Sequence, residues 1–315
     1  MSKIALFGAA GAIGRSIASA FSREGQAYRV VGRSRESLQS TFGADPRAEI
    51  VTWNPDDAAS VRAAADGIDP LVYLVGVNYW QFELHPKLIE KTIEGAVAAG
   101  VKHFVLIGTV YPYGRPQTPR VREDHPREPH TFKGRMRKAQ EDVLMAAHAA
   151  GRIKATVIRL PDFYGPGVDK SLLHEAFKAA ATGTTANLIG PLDTPHEFVF
   201  VPDVGPVVAR LAATPEAYGK IWHFAGAGVT SQREVVSEIE KQTGKKLKVR
   251  VAGKMVLRLI GLFNPLMREM VEMHYLFTEP VLMDDSALQK LIGPLHKTPY
   301  AEGVRLTLAA TSARA

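Results

Sequence analysis

Apolar positions in the first half of the chain follow two alternating rhythms. Short β-branched and aromatic runs at residues 4–7, 28–31, 49–52, 71–75, 103–107 and 156–159 read as strands, and Leu71-Val72-Tyr73-Leu74-Val75 is apolar throughout. Between them, residues 13–23, 57–65, 88–99 and 136–149 carry apolar side chains at three- and four-residue spacing, as helices with one buried face do. This alternation predicts an α/β fold, a Rossmann-like doubly wound parallel sheet with helices on both faces. Beyond residue 165 the rhythm loosens. Helices are expected near 171–181 and after Asp203, strands near 198–201 and 221–224, and a basic, Met-containing helical region over 245–277. The predicted division is an NAD(P)-binding domain over 1–165 and a smaller, interleaved C-terminal substrate lobe over 166–315, with 196–225 contributing back to the core.

Composition narrows the chemistry. The 315 residues are 46% apolar and 23% charged, a globular balance, and the lack of cysteine excludes a disulfide scaffold, a thiolate metal site and a cysteine nucleophile. Ten histidines without HExxH or paired ligand spacing predict no metal site, and no GxSxG elbow is present to suggest a hydrolase. Lys+Arg 39 against Asp+Glu 32 gives +7, which favours anionic partners such as phosphate-bearing cofactors. Residues 115–138 hold eight Lys/Arg and three acids but no interleaved stacking aromatics, so no nucleic-acid partner is expected. The stretch 255–277 is too interrupted, by Arg258, Asn264-Pro265, Arg268 and Glu272, to cross ~30 Å of hydrocarbon. It reads as core of the second lobe; a substrate lid, a dimer face or an interfacial helix are its other uses. A cytoplasmic protein with no transmembrane segment is expected, and a homodimer is compatible with the sequence.

The sharpest local signal is Gly8-Ala9-Ala10-Gly11-Ala12-Ile13-Gly14, between the first strand and the first helix. The first glycine permits a tight turn, the second lets backbone amides approach a pyrophosphate, and the third lets helix and strand pack closely. The spacing is GxxGxxG rather than GxGxxG. Where NAD-binding versions place a carboxylate about 20 residues on, the second strand here ends in Gly32-Arg33-Ser34-Arg35, with no acid until Glu36. Two guanidinium groups and a hydroxyl suit a 2′-phosphate, so NADP(H) is favoured over NAD(H).

These residues resemble the extended short-chain dehydrogenase/reductases of the NAD(P)-dependent epimerase/dehydratase type, over most of the chain. Trp53-Asn54-Pro55-Asp56-Asp57 resembles the adenine-contacting segment, with Asn54 where an Asp is usual, and Val75-Gly76-Val77 the loop that passes the cofactor. The segment ending Ile107-Gly108-Thr109, followed by Tyr113-Gly114, resembles the strand that carries a catalytic Ser/Thr, which falls on Thr109. Arg159-Leu160-Pro161-Asp162-Phe163-Tyr164-Gly165 resembles the strand lining the nicotinamide side, so Leu160 and Pro161 are expected at the cofactor. Asp162 either touches substrate or caps a turn. The departure is the proton-transfer pair Tyr-x-x-x-Lys, because none of the nine tyrosines has Lys four residues on. Aligning Glu141 with the usual downstream Glu puts Lys133 in the Tyr place and Arg137 in the Lys place; a one-residue shift gives Gly134 and Lys138 instead, and neither restores a phenol. The resemblance then leaves Lys133 as the acid, lowered by burial beside Arg137, or a relocated phenol: Tyr111 or Tyr113 after Thr109, or Tyr164. An enzyme that transfers hydride to a carbonyl or activated C=C of a small molecule follows; the alternative is a non-catalytic, redox-sensing NADP(H)-binding regulator.

Overall fold

The computed structural model describes residues 3–314. Its first half runs β1 (Lys3–Phe7), α1 (Ala12–Arg23), β2 (Tyr28–Gly32), α2 (Arg35–Phe42), β3 (Ala48–Thr52), α3 (Ala58–Ala65), β4 (Ile68–Tyr73), α4 (Leu84–Ala98), β5 (His103–Thr109), α5 (Phe132–Ala149) and β6 (Lys154–Leu160). The second half adds β7 (Asp162–Tyr164), α6 (His174–Thr182), β8 (Thr185–Ile189), β9 (Phe198–Phe200), α7 (Val201–Ala212), β10 (Lys220–His223), α8 (Gln232–Thr243), β11 (Lys248–Ala252), α9 (Lys254–Ile260), α10 (Pro265–Met273), α11 (Ser286–Ile292) and α12 (Tyr300–Ser312).

Seven strands form one parallel sheet in the order β10-β6-β5-β4-β1-β2-β3, the doubly wound topology expected from the apolar rhythm. Its central strands are buried on both faces. Ile17 and Phe21 of α1 and Val204, Val208 and Leu211 of α7 cover one face, while Val61, Ile89, Ile93 and Leu144 of α3, α4 and α5 cover the other. Leu288 and Ile292 of α11 join the first of these cores, so the chain returns to the sheet after leaving it at β10.

A second lobe packs around Leu173, Phe177, Leu188, Val235, Ile239 and Val304, with β8 and β11 as a two-stranded parallel sheet. Here the expected helical region 245–277 is corrected. Its first residues, Lys-Val-Arg-Val-Ala at 248–252, alternate with a period of two and pair with β8 as a strand before α9 begins. Helix α5 starts at Phe132 rather than 136, because Thr131 Oγ1 accepts from the Gly134 amide at 3.0 Å and caps it.

Candidate functional site

The carboxyl ends of the central strands open onto one crevice, where strand order reverses between β1 and β4. The Gly8 amide donates to the Val31 carbonyl at 2.8 Å and draws the β1–α1 turn onto the sheet. Gly8 has φ 88°, and a Cβ there would stand 2.9 Å from backbone atoms of Leu74 and Val75. Gly14 lies so close to the Ala9 carbonyl that any side chain would overlap it. Gly11, by contrast, faces open space and caps α1 without a side-chain hydrogen bond, and Gly76 across the crevice is equally open. The first-turn amides of α1, those of Ala12 and Ile13, have no acceptor within the helix. Open amides, the positive end of a helix dipole and no Cβ in the way fit a dinucleotide pyrophosphate. Gly14→Ala is expected to cost about 1–3 kcal/mol by overpacking and to weaken NAD(P)H binding. Unchanged melting temperature and affinity would remove Gly14 from this role.

At the end of β2, Arg33 and Arg35 are both exposed, and Ser34 Oγ accepts from the Ser37 amide at 3.2 Å as the cap of α2. Asn54, exposed after β3, turns its Oδ1 back to the Asp56 amide at 3.1 Å.

On the other side of the crevice, Thr109 ends β5 in register with Leu160, which is buried beside Pro161. The following turn presents Tyr111, partly exposed, whose hydroxyl lies 3.1 Å from that of Tyr79. Phe82 stacks on Tyr111 with ring centroids 6.5 Å apart. Burial, reinforced by the neighbouring Tyr79 and Asp162, raises the Tyr111 phenol well above its ordinary pKa. Tyr79 is raised as well, by burial, although Lys133 and Arg137 pull it back. Arg137, recessed on α5, donates to the Ile107 carbonyl at 3.2 Å and to His85 Nδ1 at 3.3 Å. Burial and the Arg137 charge push the His85 pKa down to about 2, so its ring is neutral and accepts. Asp162, partly exposed after β6, pairs with His196 Nε2 at 2.7 Å.

Two expected proton donors sit otherwise engaged. Lys133 is fully buried, and its ammonium donates to Glu269 and, at 2.8 Å, to Glu272, both on α10. The Lys133 amide also donates to Glu272, at 3.1 Å. Arg137 stands one helical turn from Lys133 but is turned to His85 and β5, so the carboxylates rather than Arg137 surround the ammonium. Tyr113 is also fully buried. His223 donates from Nδ1 to the Asp284 carbonyl at 3.0 Å and, with its pKa down to about 4 from burial and the Arg159 charge, offers a bare Nε2. The Tyr113 hydroxyl, 2.5 Å away, donates to it, and burial lifts that phenol to about 12. Tyr164 belongs to the core of the second lobe, against Phe177 and Phe200.

The sequence reading missed Tyr79, Phe82, His85, His196 and the α10 carboxylates. A signal existed for the first two, since Tyr79-Trp80-Gln81-Phe82 puts three aromatics in the loop that follows Val75-Gly76-Val77, beside the crevice. Glu269 and Glu272 carry no local pattern and are brought in by tertiary packing alone.

Known proteins resemble this chain in sequence and in fold. A dTDP-6-deoxy-L-talose 4-dehydrogenase (NAD(P)(+)) from Kitasatospora kifunensis is 27% identical over 258 residues, covering 77% of this chain and 79% of that protein. The spore coat polysaccharide biosynthesis protein SpsK of Bacillus subtilis is 23% identical over 78% of this chain and 80% of its own length. Among solved structures, UDP-glucuronic acid 4-epimerase from Bacillus cereus, in complex with UDP-glucuronic acid and NAD, superposes with a TM-score of 0.83. It shares 18% identity and covers 99% of this chain and 100% of that one. DesIV, a dTDP-glucose 4,6-dehydratase from Streptomyces venezuelae solved with NAD, gives 0.82 at 19% identity, covering 98% of this chain and 96% of that one. The profile of the NAD dependent epimerase/dehydratase family matches residues 4–224, and the chain belongs to that family.

Proposed function

We propose that the protein is an NADP(H)-dependent oxidoreductase that carries hydride to a carbonyl or activated C=C bond of a small organic substrate. The observation that supports it most is Tyr111, a phenol held protonated at the mouth of the crevice, two residues after Thr109 and hydrogen-bonded to Tyr79. The bound cofactor would supply the hydride. Gly8, Gly11 and Gly14 with the amides of Ala12 and Ile13 would hold its pyrophosphate, Val75, Gly76, Leu160 and Pro161 would line its path, and Asn54 would face the adenine. Thr109 donates a hydrogen bond to the reacting oxygen, Tyr111 delivers the proton, and Tyr79 replaces it. Arg137 takes the place of the family's lysine and stabilises the negative charge as it develops. Proton delivery is assigned to Tyr111 rather than to Lys133 or Tyr113, whose donors are already taken up by Glu269, Glu272 and His223. The Kitasatospora relative, whose name specifies a 4-dehydrogenase using either cofactor, supports carbonyl chemistry. The lobe from residue 166 onward supplies the substrate side.

The test is consumption of NADPH across enones, ketones and nucleotide-linked ketosugars. Cofactor choice has its own measurement. Arg33→Ala should weaken NADPH about 10- to 100-fold, the range of one or two charge-assisted hydrogen bonds, and leave NADH nearly unchanged; equal losses would contradict the 2′-phosphate assignment. A non-catalytic NADP(H)-responsive regulator is the second reading. It is favoured by the engagement of Lys133 with Glu269 and Glu272, which closes α10 over the helix face that usually bears the reactive pair. NADPH binding without turnover on any substrate would select it.

A further inference from the structure

The net charge of the protein is concentrated in one place. Residues 245–268 contain seven cations (Lys245, Lys246, Lys248, Arg250, Lys254, Arg258, Arg268) and no acid. Subtracting them from the 39 Lys+Arg leaves 32 against 32 Asp+Glu, so the remainder of the chain is neutral. The other basic stretch is largely neutralised in the fold: Arg120 meets Glu197, Arg127 meets Glu141 and Asp142, Lys133 meets Glu269 and Glu272, and Lys138 meets Asp142. In the 245–268 segment, Lys246 pairs with Glu240 at 2.5 Å, while the other six cations are exposed and outside ion pairs among the described residues.

The same segment holds most of the exposed apolar surface. Of eleven large apolar side chains exposed among the described residues, eight fall between Val251 and Leu266. Phe263, in the turn between α9 and α10, is 91% exposed, with Leu262 at 66%, Met255 at 65% and Leu259 at 64% beside it. The helix pair is nonetheless firmly seated: Leu257, Met270 and Met273 are buried in the core beneath it, and Glu269 and Glu272 hold Lys133. An apolar tip flanked by exposed cations on the same two helices, Lys254, Arg258 and Arg268, is therefore part of the surface.

We propose that α9, α10 and the turn between them are a docking surface for an anionic lipid bilayer, with Phe263 and Leu262 inserted at the headgroup–acyl boundary. No helix is long and apolar enough to cross a membrane among the described residues, so the contact is interfacial. A bilayer bearing anionic headgroups satisfies the apolar tip and the cations together. A second copy of the chain does so poorly, because a two-fold contact through this patch faces cations with the same cations. Since α10 also holds Lys133 of α5 through Glu269 and Glu272, docking sets that end of α5 toward the bilayer.

Co-sedimentation with sucrose-loaded vesicles tests this on the full-length protein, using phosphatidylcholine alone and phosphatidylcholine mixed two to one with phosphatidylglycerol. Binding is expected to the mixed vesicles only. It should fall steeply as salt rises from ~0.1 M to ~1 M, which shortens the screening length from about 10 Å to about 3 Å. Leu262→Glu with Phe263→Glu should abolish it, and Lys254→Glu with Arg258→Glu should lower it at least about 30-fold, from roughly fivefold per cation. All four side chains are exposed, so the variants are expected to keep the fold, which far-UV circular dichroism checks. No binding, equal binding to neutral vesicles, or binding that survives both variant pairs overturns the proposal. A concentration-dependent dimer in light scattering, split by the Leu262/Phe263 pair and accompanied by no vesicle binding, also overturns it and assigns the patch to a second copy.

Discussion

Glu141→Ala is expected to destabilise the protein by about 3–5 kcal/mol, the cost of leaving a buried charge without its partner. Arg159 on β6 and Glu141 on α5 are both buried. The guanidinium donates from Nε at 3.0 Å and again from a terminal nitrogen to the two carboxylate oxygens, and its plane lies 4.2 Å over the Tyr113 ring. Burial alone would lower the Arg159 pKa, but the Glu141 charge and hydrogen bonds outweigh it and hold the cation above its ordinary value. Arg127 also reaches Glu141, at 3.2 Å, so the loop before α5 loosens with the same substitution. Thermal unfolding should drop by roughly 5–15 °C. The informative control is Glu141→Leu with Arg159→Met, which removes both charges and fills the space; it should recover most of the loss. If the single variant melts within about 2 °C of the parent protein, the pair does not brace the sheet to α5. The contact matters for the crevice because Arg159 immediately precedes Leu160-Pro161-Asp162, and α5 carries Arg137.

Tyr111→Phe is expected to lower turnover by about 10²–10⁴-fold, the usual contribution of a positioned proton donor, while NADPH affinity stays within about threefold. The direction of the pKa shift adds a pH signature. Because burial raises the phenol, it remains protonated through neutral and mildly alkaline pH, so reduction should be flat across that range. The reverse reaction needs the phenolate as base, so its rate should climb with pH, and Tyr111→Phe should remove that climb. Retention of near-parental turnover, or a reduction rate that falls as pH drops below neutrality, would take the proton away from Tyr111. Tyr79→Phe should act in the same direction but more weakly, since it removes the relay and leaves the donor.

The sheet was legible because buried parallel strands must be apolar on both faces, which leaves an unbroken signal at Leu71-Val72-Tyr73 and Phe104-Val105-Leu106. Helix α2 was not, because Arg35–Phe42 buries only Leu38 and Phe42, too narrow a stripe to stand out from a polar loop. Helix α8 was not read either, although Ser231 accepts from the Glu234 amide at 3.1 Å in the order Ser-x-x-Glu, a cap that the sequence does carry.

For the site, sequence alone determined what depends on local geometry. The turn from Gly8 to Gly14, the arginines that follow β2 and the lack of a Tyr-x-x-x-Lys pair are each properties of a few consecutive residues, and consecutive residues share one backbone path. Tertiary structure decided which side chains are free to act. Lys133 lies far along the chain from Glu269 and Glu272, Tyr113 from His223, and Tyr79 from Tyr111. A proton's availability depends on the partners and burial that packing assembles around it, and no spacing along the chain encodes those contacts.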